Sequence, residues 1–211
     1  MGEKIAVRQS AKGLFDAEFD ILPDAGDQIG RISMKGALGS REGTFQVEYD
    51  NRKTILSPAG QHEAAEYVSY EIKRSPFRPY RILWDGLVGM MFHDQIKTGF
   101  LKSAGYHFMK FLGREYYLYF VGFGERGICA PVYEGDVQIA EIRKPCMVIN
   151  DLHSFYIILQ QTTDPMPSII LCCYMYVISY YRAGEKTLKG KQKSIVVTKD
   201  EYLLSKCRTI L

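Results

Sequence analysis

The sequence predicts a mainly β fold: a closed antiparallel barrel of roughly twelve strands around one hydrophobic helix at about 166–182. Three observations lead there. The 15 Tyr and 11 Phe stand against one Trp and, with Val and Ile, gather in short runs of the kind that suits strands. Gly, Pro, Asp and Asn separate those runs at turn-like intervals. One segment, Ser168 to Tyr181 (SIILCCYMYVISYY), holds no charge and is apolar on every side.

The strand candidates follow in order. They are Phe15 to Ile21, Gln28 to Met34, Thr44 to Tyr49, Tyr67 to Ile72, Pro79 to Trp84 and Leu87 to His93. Then come Tyr106 to Phe111, Glu115 to Phe123, Ile128 to Tyr133, Val137 to Arg143, Met147 to Asn150 and Ser154 to Gln160. The pairs Gly26-Asp27, Asp85-Gly86 and Gly135-Asp136 are hairpin-turn chemistry, because one residue must adopt a left-handed backbone. Around them runs a weak repeat: ILPDAGDQIGRI (Ile21 to Ile32), ILWDGLVGMM (Ile82 to Met91) and PVYEGDVQIAEI (Pro131 to Ile142). The turn glycines lie 60 and 49 residues apart, which fits hairpins strung in a meander better than a solenoid.

The apolar segment is punctuated as a helix, with Pro165 and Pro167 before it and Gly184 after it. A spanning helix needs about 20 apolar residues, so this shorter run reads as a buried core helix. A sheet of about twelve strands closes or splits. If it closes, the barrel is wider than its own side chains fill, and an all-apolar helix can occupy the space.

Residues 1–183 therefore read as one barrel domain and 184–211 as a basic extension. Arg182 to Leu211 contains eight basic and three acidic residues, a charge of +5. The whole chain carries +3, so the other 181 residues carry −2. Thr198-Lys-Asp-Glu201 is a capping-box pattern for a short helix there. Met1 to Gly13 has no apolar run suited to a signal peptide, and Ala6 breaks the myristoylation pattern. The expected location is cytoplasmic, peripheral at a membrane.

The motifs nominate no enzyme. Gly122-Phe-Gly124-Glu-Arg-Gly127 matches the dinucleotide-binding glycine pattern, but that pattern needs a helix next and finds Ile128-Cys-Ala-Pro131. A kinase glycine-rich hairpin fails because no catalytic-loop motif follows. His62, His93, His107 and His153 are scattered, without metal-ligand spacing. Cys129, Cys146, Cys172, Cys173 and Cys207 form neither a disulfide framework nor a zinc pattern, and read as reduced thiols. No catalytic residue, cofactor or metal site is expected.

Two basic patches remain: Lys73, Arg74, Arg78 and Arg81 around Phe77 and Tyr80, and Lys186, Lys189, Lys191 and Lys193 after the helix. Such clusters beside an apolar element attract anionic lipid headgroups at about 1 kcal/mol per charge. They also suit a solvated linker, and the weak overall charge does not favour nucleic acid.

The stretch Arg114-EYYLYFVGFGERGICAPVYEGDVQIAEIRKP-Cys146, then Asn150-DLHSFYIIL-Gln160, then the apolar helix, resembles bacterial proteins of the tubby C-terminal-like superfamily. That group includes LURP-one-related proteins and phospholipid scramblases. The likeness covers about Phe15 to Arg182. It implies a closed, roughly twelve-stranded barrel around a hydrophobic helix. It also implies a link to phosphoinositides or membranes, with no lipid-contacting residue carried over. The basic tail departs from many relatives, which end after the helix. The leading expectation is a non-enzymatic module that binds anionic lipid or a membrane surface. The alternatives are a protein-interaction scaffold with an unidentified protein partner, or a small-molecule-binding protein or enzyme with its site at the barrel mouth.

Overall fold

A computed structural model describes residues 3–13, 16–36, 43–67, 77–97, 103–119, 127–145, 150, 152–160 and 163–178. They form β1 (Lys4–Lys12), β2 (Asp16–Pro23), β3 (Gly30–Gly36), β4 (Gly43–Tyr49), β5 (Arg52–Pro58) and a short helix α1 (Gln61–Ala65). Next come β6 (Tyr80–Trp84), β7 (Leu87–Lys97), β8 (Ser103–Phe111), β9 (Arg114–Leu118), β10 (Ile128–Glu134) and β11 (Val137–Lys144). β12 (Ser154–Leu159) and α2 (Met166–Ile178) complete the described chain.

Each strand pairs antiparallel with its neighbours in sequence, and β1 closes the twelve-stranded ring onto β12 with Val7 opposite Phe155. Side chains alternate across a strand, so one residue in two faces inward. The inward set is Ile5 and Val7 on β1, Phe19 and Ile21 on β2, Phe45 and Val47 on β4, and so on round to Phe155, Ile157 and Leu159 on β12. No strand is left with an open edge, which removes the template for unwanted pairing.

The barrel's two ends are unlike. At one, which we term the turn end, four hairpins close in two residues: Asp50-Asn51, Asp85-Gly86, Leu112-Gly113 and Gly135-Asp136. Asp50, Asn51, Asp85, Gly86, Leu112, Gly113 and Gly135 all have positive φ, between 47° and 76°. That backbone matches the right-handed twist of the flanking strands. The longer connections join strands at the opposite end, which we term the exit end because α2 runs towards it. Met166 Sδ lies 4.0 Å from Thr54 Oγ1 near the start of β5, whereas the Tyr174 hydroxyl donates to the Arg78 carbonyl (3.2 Å) just before β6.

Residues Met166 to Tyr176 are all buried. Aromatic residues of β2, β4 and β6 touch them. Tyr176 packs on Phe19 of β2 (5.0 Å between ring centroids) and Phe45 of β4 (6.4 Å), and Tyr174 packs on Tyr80 of β6 (5.7 Å). The void between Val7, Phe19, Ile32, Phe45, Phe155, Cys172, Cys173 and Tyr176 is about 10 Å³. That is no more than one water occupies.

The three repeated hairpins are β2–β3, β6–β7 and β10–β11, four strands apart round the ring. Their small residues take the same place in the ladder: Gly30 opposite Ile21, Gly89 opposite Ile82, and Ala140 opposite Val132. A Cβ built on Gly30 would stand 2.5 Å from the Glu48 carbonyl oxygen, and one on Gly89 2.6 Å from that of Lys110. At β10–β11 the register shifts beside Val132, and a methyl is accommodated.

Several expectations need correction. β1 and β5 were not among the strand candidates, and neither was α1. Tyr67, the expected start of a strand, lies in the turn after α1, and the rest of Tyr67 to Ile72 falls outside the described residues. Of Met147 to Asn150 only Asn150 is described, in a turn at φ 54°. The expected count of twelve therefore matched through a different set. The physical reason is burial. α1 places Ala64 over Met90, Phe92 and Phe108 on the outer face of β7 and β8, a second small core that no local pattern announces. The helix beyond Ile178, including Tyr180 and Tyr181, and the basic extension 184–211 lie outside the described residues.

Candidate functional site

The turn end is acidic. Its connections and the strand residues that flank them carry Asp24, Asp27, Asp50, Asp85, Glu134, Asp136 and Asp164 against three cations, Lys4, Arg52 and Arg114, with Lys4 3.8 Å from Asp24. Both arginines are engaged. Arg52 makes a two-pronged contact with Asp164 (2.9 and 3.0 Å), and Arg114 donates to Glu134 (3.0 Å). Asp164 also accepts the backbone N–H of Met166 (3.0 Å), tying this ion pair to the first turn of α2. Partial burial alone would raise the Asp164 pKa. The Arg52 hydrogen bonds, the Met166 N–H and the Arg52 charge outweigh it and hold the carboxyl below its ordinary value.

An open cleft of about 610 Å³ lies here between the β2–β3 and β4–β5 connections, lined by Arg31, Glu48, Tyr49, Asp50, Arg52 and Lys53 among others. The large apolar side chains exposed among the described residues are Ile29, Leu87, Val88, Leu112 and Val137, all at turn-end hairpins.

The exit end is different chemistry. Three of the four histidines lie inside the barrel there. His93 and His107 sit directly opposite each other on β7 and β8, with ring centroids 5.0 Å apart. Phe77 closes over His93 at 5.1 Å, and His107 meets the Tyr174 ring edge-on at 5.2 Å. Burial lowers the pKa of His93, with Asp94 opposing. Burial, then the neighbouring His93, hold His107 well below the ordinary value.

Across the lumen, His153 packs edge-on against Tyr176 (5.1 Å). Its backbone is fixed from both sides by Gln9, whose Oε1 accepts the His153 N–H (3.0 Å) and whose N–H donates to the His153 carbonyl (2.8 Å). His153 Nδ1 is 2.7 Å from Nζ of Lys144, a lysine only 1% exposed whose Nζ lies 4.6 Å from the Phe155 ring centre. Cys172 and Cys173 border the same region, and burial pushes both thiols up. They are thereby kept protonated and poorly nucleophilic.

The residues expected to meet anions are distributed as follows. Arg78 is exposed at the exit end. Arg81 is paired with Glu63 and pins α1 to β6. Lys73, Arg74, Lys186, Lys189, Lys191 and Lys193 lie outside the described residues. Gly127 has φ 86° and leads into β10, so a strand stands where a dinucleotide site needs a helix. Cys172 and Cys173 are free thiols. No group of His, Cys, Asp and Glu among the described residues could hold a metal ion. No described helix is long and apolar enough to cross a membrane.

Sequence reasoning missed the convergence of the histidines. The available signal was parity: His93 shares the inward register of Met91, His107 that of Met109, and Lys144 that of Ala140 and Ile142. Comparison with protein-family models, curated proteins and solved structures finds no match to this chain.

Proposed function

We propose that the chain is a non-enzymatic, tubby-like barrel with α2 as its central helix, which docks on anionic membrane surfaces through its exit end. One observation supports this reading above others: the charge of the chain is divided between an acidic barrel end and a basic segment that follows α2 in sequence. The turn end holds seven carboxylates against three paired cations, whereas the +5 segment, outside the described residues, follows α2 in the sequence. A negative surface would repel the first and attract the second. A lumen packed with α2 side chains suits a docking module better than a carrier.

At about 1 kcal/mol per charge, Lys186, Lys189, Lys191 and Lys193 together supply roughly a thousandfold in partitioning. Flotation with phosphatidylserine vesicles at low salt tests this. The full chain floats, floats less as salt rises, and stays down when the four lysines are changed to glutamine. Failure of the unaltered chain to float at low salt would overturn the reading.

A second reading is favoured by the exposed apolar tips. Ile29, Leu87, Val88, Leu112 and Val137 suit a protein-interaction scaffold better than a membrane module, because they share the acidic end.

A further inference from the structure

We infer that α1 is a displaceable cover, and that the apolar strip it hides on the outer face of β7 and β8 is the surface that enters an anionic bilayer interface. The inference rests on the membrane-docking reading and names the part of the barrel that makes the contact.

The strip is Met90 and Phe92 on β7 and Phe108 on β8, which are 0%, 0% and 2% exposed. Phe92 lies opposite Phe108 with ring centroids 5.1 Å apart, and the Phe108 ring meets Tyr117 of β9 at 5.3 Å. The adjoining Met91 and Met109 belong to the main core inside the barrel, so by alternation the strip faces outward. Large apolar side chains on the outside of a closed barrel need a cover from water. α1 supplies it with a single buried residue, Ala64.

That cover is weakly built. α1 is five residues long, and its N-cap, Gly60, makes no side-chain capping bond. A helix so short has no stability of its own in water. Among the described residues, its polar ties to the barrel are the Arg81–Glu63 ion pair and a hydrogen bond from Gln61 Nε2 to the Phe77 carbonyl (3.4 Å). The ion pair is partly exposed, with side chains 43% and 30% accessible, and pairs of that kind hold loosely. The Ala59 N–H bond to the Pro79 carbonyl (2.8 Å) anchors the chain just before α1, so the helix can swing out without disturbing β5.

Charge decides what the uncovered strip meets. Met90 has Arg81 opposite it on β6 and Lys110 opposite it on β8, a cross-strand row of cation, apolar side chain and cation. Arg81 is the second residue of β6, so this row adjoins the exit end. In the closed state Glu63 neutralises Arg81. When α1 swings out it takes that carboxylate with it and leaves the guanidinium beside the strip. The carboxylates on this face, Asp94 and Glu115, accept hydrogen bonds from the Tyr106 and Tyr117 hydroxyls. Aromatic rings with polar tips, set between cations, match the boundary between acyl chains and anionic headgroups.

Peroxide oxidation of the full chain, read by mass spectrometry, tests the cover without a membrane. Met90, Met91 and Met109 are all 0% exposed, but only Met90 lies under α1. Peroxide gives one oxygen to the thioether, leaving methionine sulfoxide and water. Met90 oxidises faster than Met91 and Met109. E63Q and R81Q each break the ion pair, and each speeds Met90 by up to about fivefold while the other two keep their rates. E66Q removes an exposed carboxylate just after α1 and changes none of the three. Met90 oxidising in step with Met91 and Met109, or a Met90 rate that E63Q leaves unaltered, refutes the cover.

Flotation with phosphatidylserine vesicles, at a salt concentration where the unaltered chain floats in part, tests the partner. E63Q and E66Q gain the same charge, yet E63Q partitions up to about fivefold more strongly because it also opens the cover. R81Q opens the cover but lacks the cation, and floats no better than the unaltered chain. Equal flotation of E63Q and E66Q refutes the strip as the bilayer contact. An unaltered chain that never floats while Met90 oxidises selectively overturns the membrane reading, and the bilayer as partner with it, while supporting α1 as a cover.

Discussion

Adding one methyl group at Gly89 should destabilise the barrel more than removing one at the equivalent Ala140. A Cβ at Gly89 would lie 2.6 Å from the Lys110 carbonyl oxygen on β8 and 3.3 Å from Ile82 Cβ on β6. Carbon and carbonyl oxygen in neighbouring strands ordinarily approach to about 3.3 Å. β7 and β8 must therefore part by about 0.7 Å at a point where the ladder is continuous from Met90–Lys110 to Lys97–Ser103. Overpacking of this kind costs about 1–3 kcal/mol. The lower entropy of an unfolded alanine chain returns about 0.4–1 kcal/mol, leaving a net loss of about 1–2 kcal/mol.

For a chain of this size that lowers Tm by about 2–8 °C. Ala140→Gly carries no clash and costs only the backbone term, about 0.5–1 kcal/mol. Gly30→Ala, with its Cβ 2.5 Å from the Glu48 oxygen, should behave like Gly89→Ala. Differential scanning calorimetry of the three variants at one pH decides the matter. A Gly89→Ala protein that melts at or above the unaltered chain would refute the close-approach reasoning, and with it the structural equivalence of the three hairpins.

Two further outcomes follow from α2. Ser168 is fully buried and its Oγ lacks a hydrogen-bond partner among the described residues, so Ser168→Ala should raise stability by about 1 kcal/mol; a lower Tm would reveal a bonded hydroxyl. Arg52→Ala should cost up to about 1 kcal/mol near neutral pH, because the Arg52–Asp164 pair is partly exposed. Asp164 has a lowered pKa in the fold, so its contribution is present above the unfolded carboxylate value of about 3.9 and is lost as pH falls below it. The Tm difference between Arg52→Ala and the unaltered chain should therefore close in strong acid, and a gap that persists there would assign the effect to packing instead.

The elements legible in the sequence were those whose local chemistry and burial agree. The Asp85-Gly86 hairpin has its preferred turn residues and strands with a clear inner face, and it forms as expected. The segment from Met166 is apolar all round and buried from Met166 to Tyr176, so composition alone marked it as a buried helix. β1 and β5 were hidden for the converse reason. Lys4, Arg8, Lys12, Arg52 and Lys53 give them a charged appearance, while their inward residues, Ile5, Val7, Thr54 and Leu56, are few. The turn between β4 and β5 is Asp50-Asn51 with no glycine, although both residues tolerate the left-handed backbone it needs. The histidine pair was not legible because it depends on the β7–β8 register, which joins residues fourteen apart through a connection whose length the pattern left open.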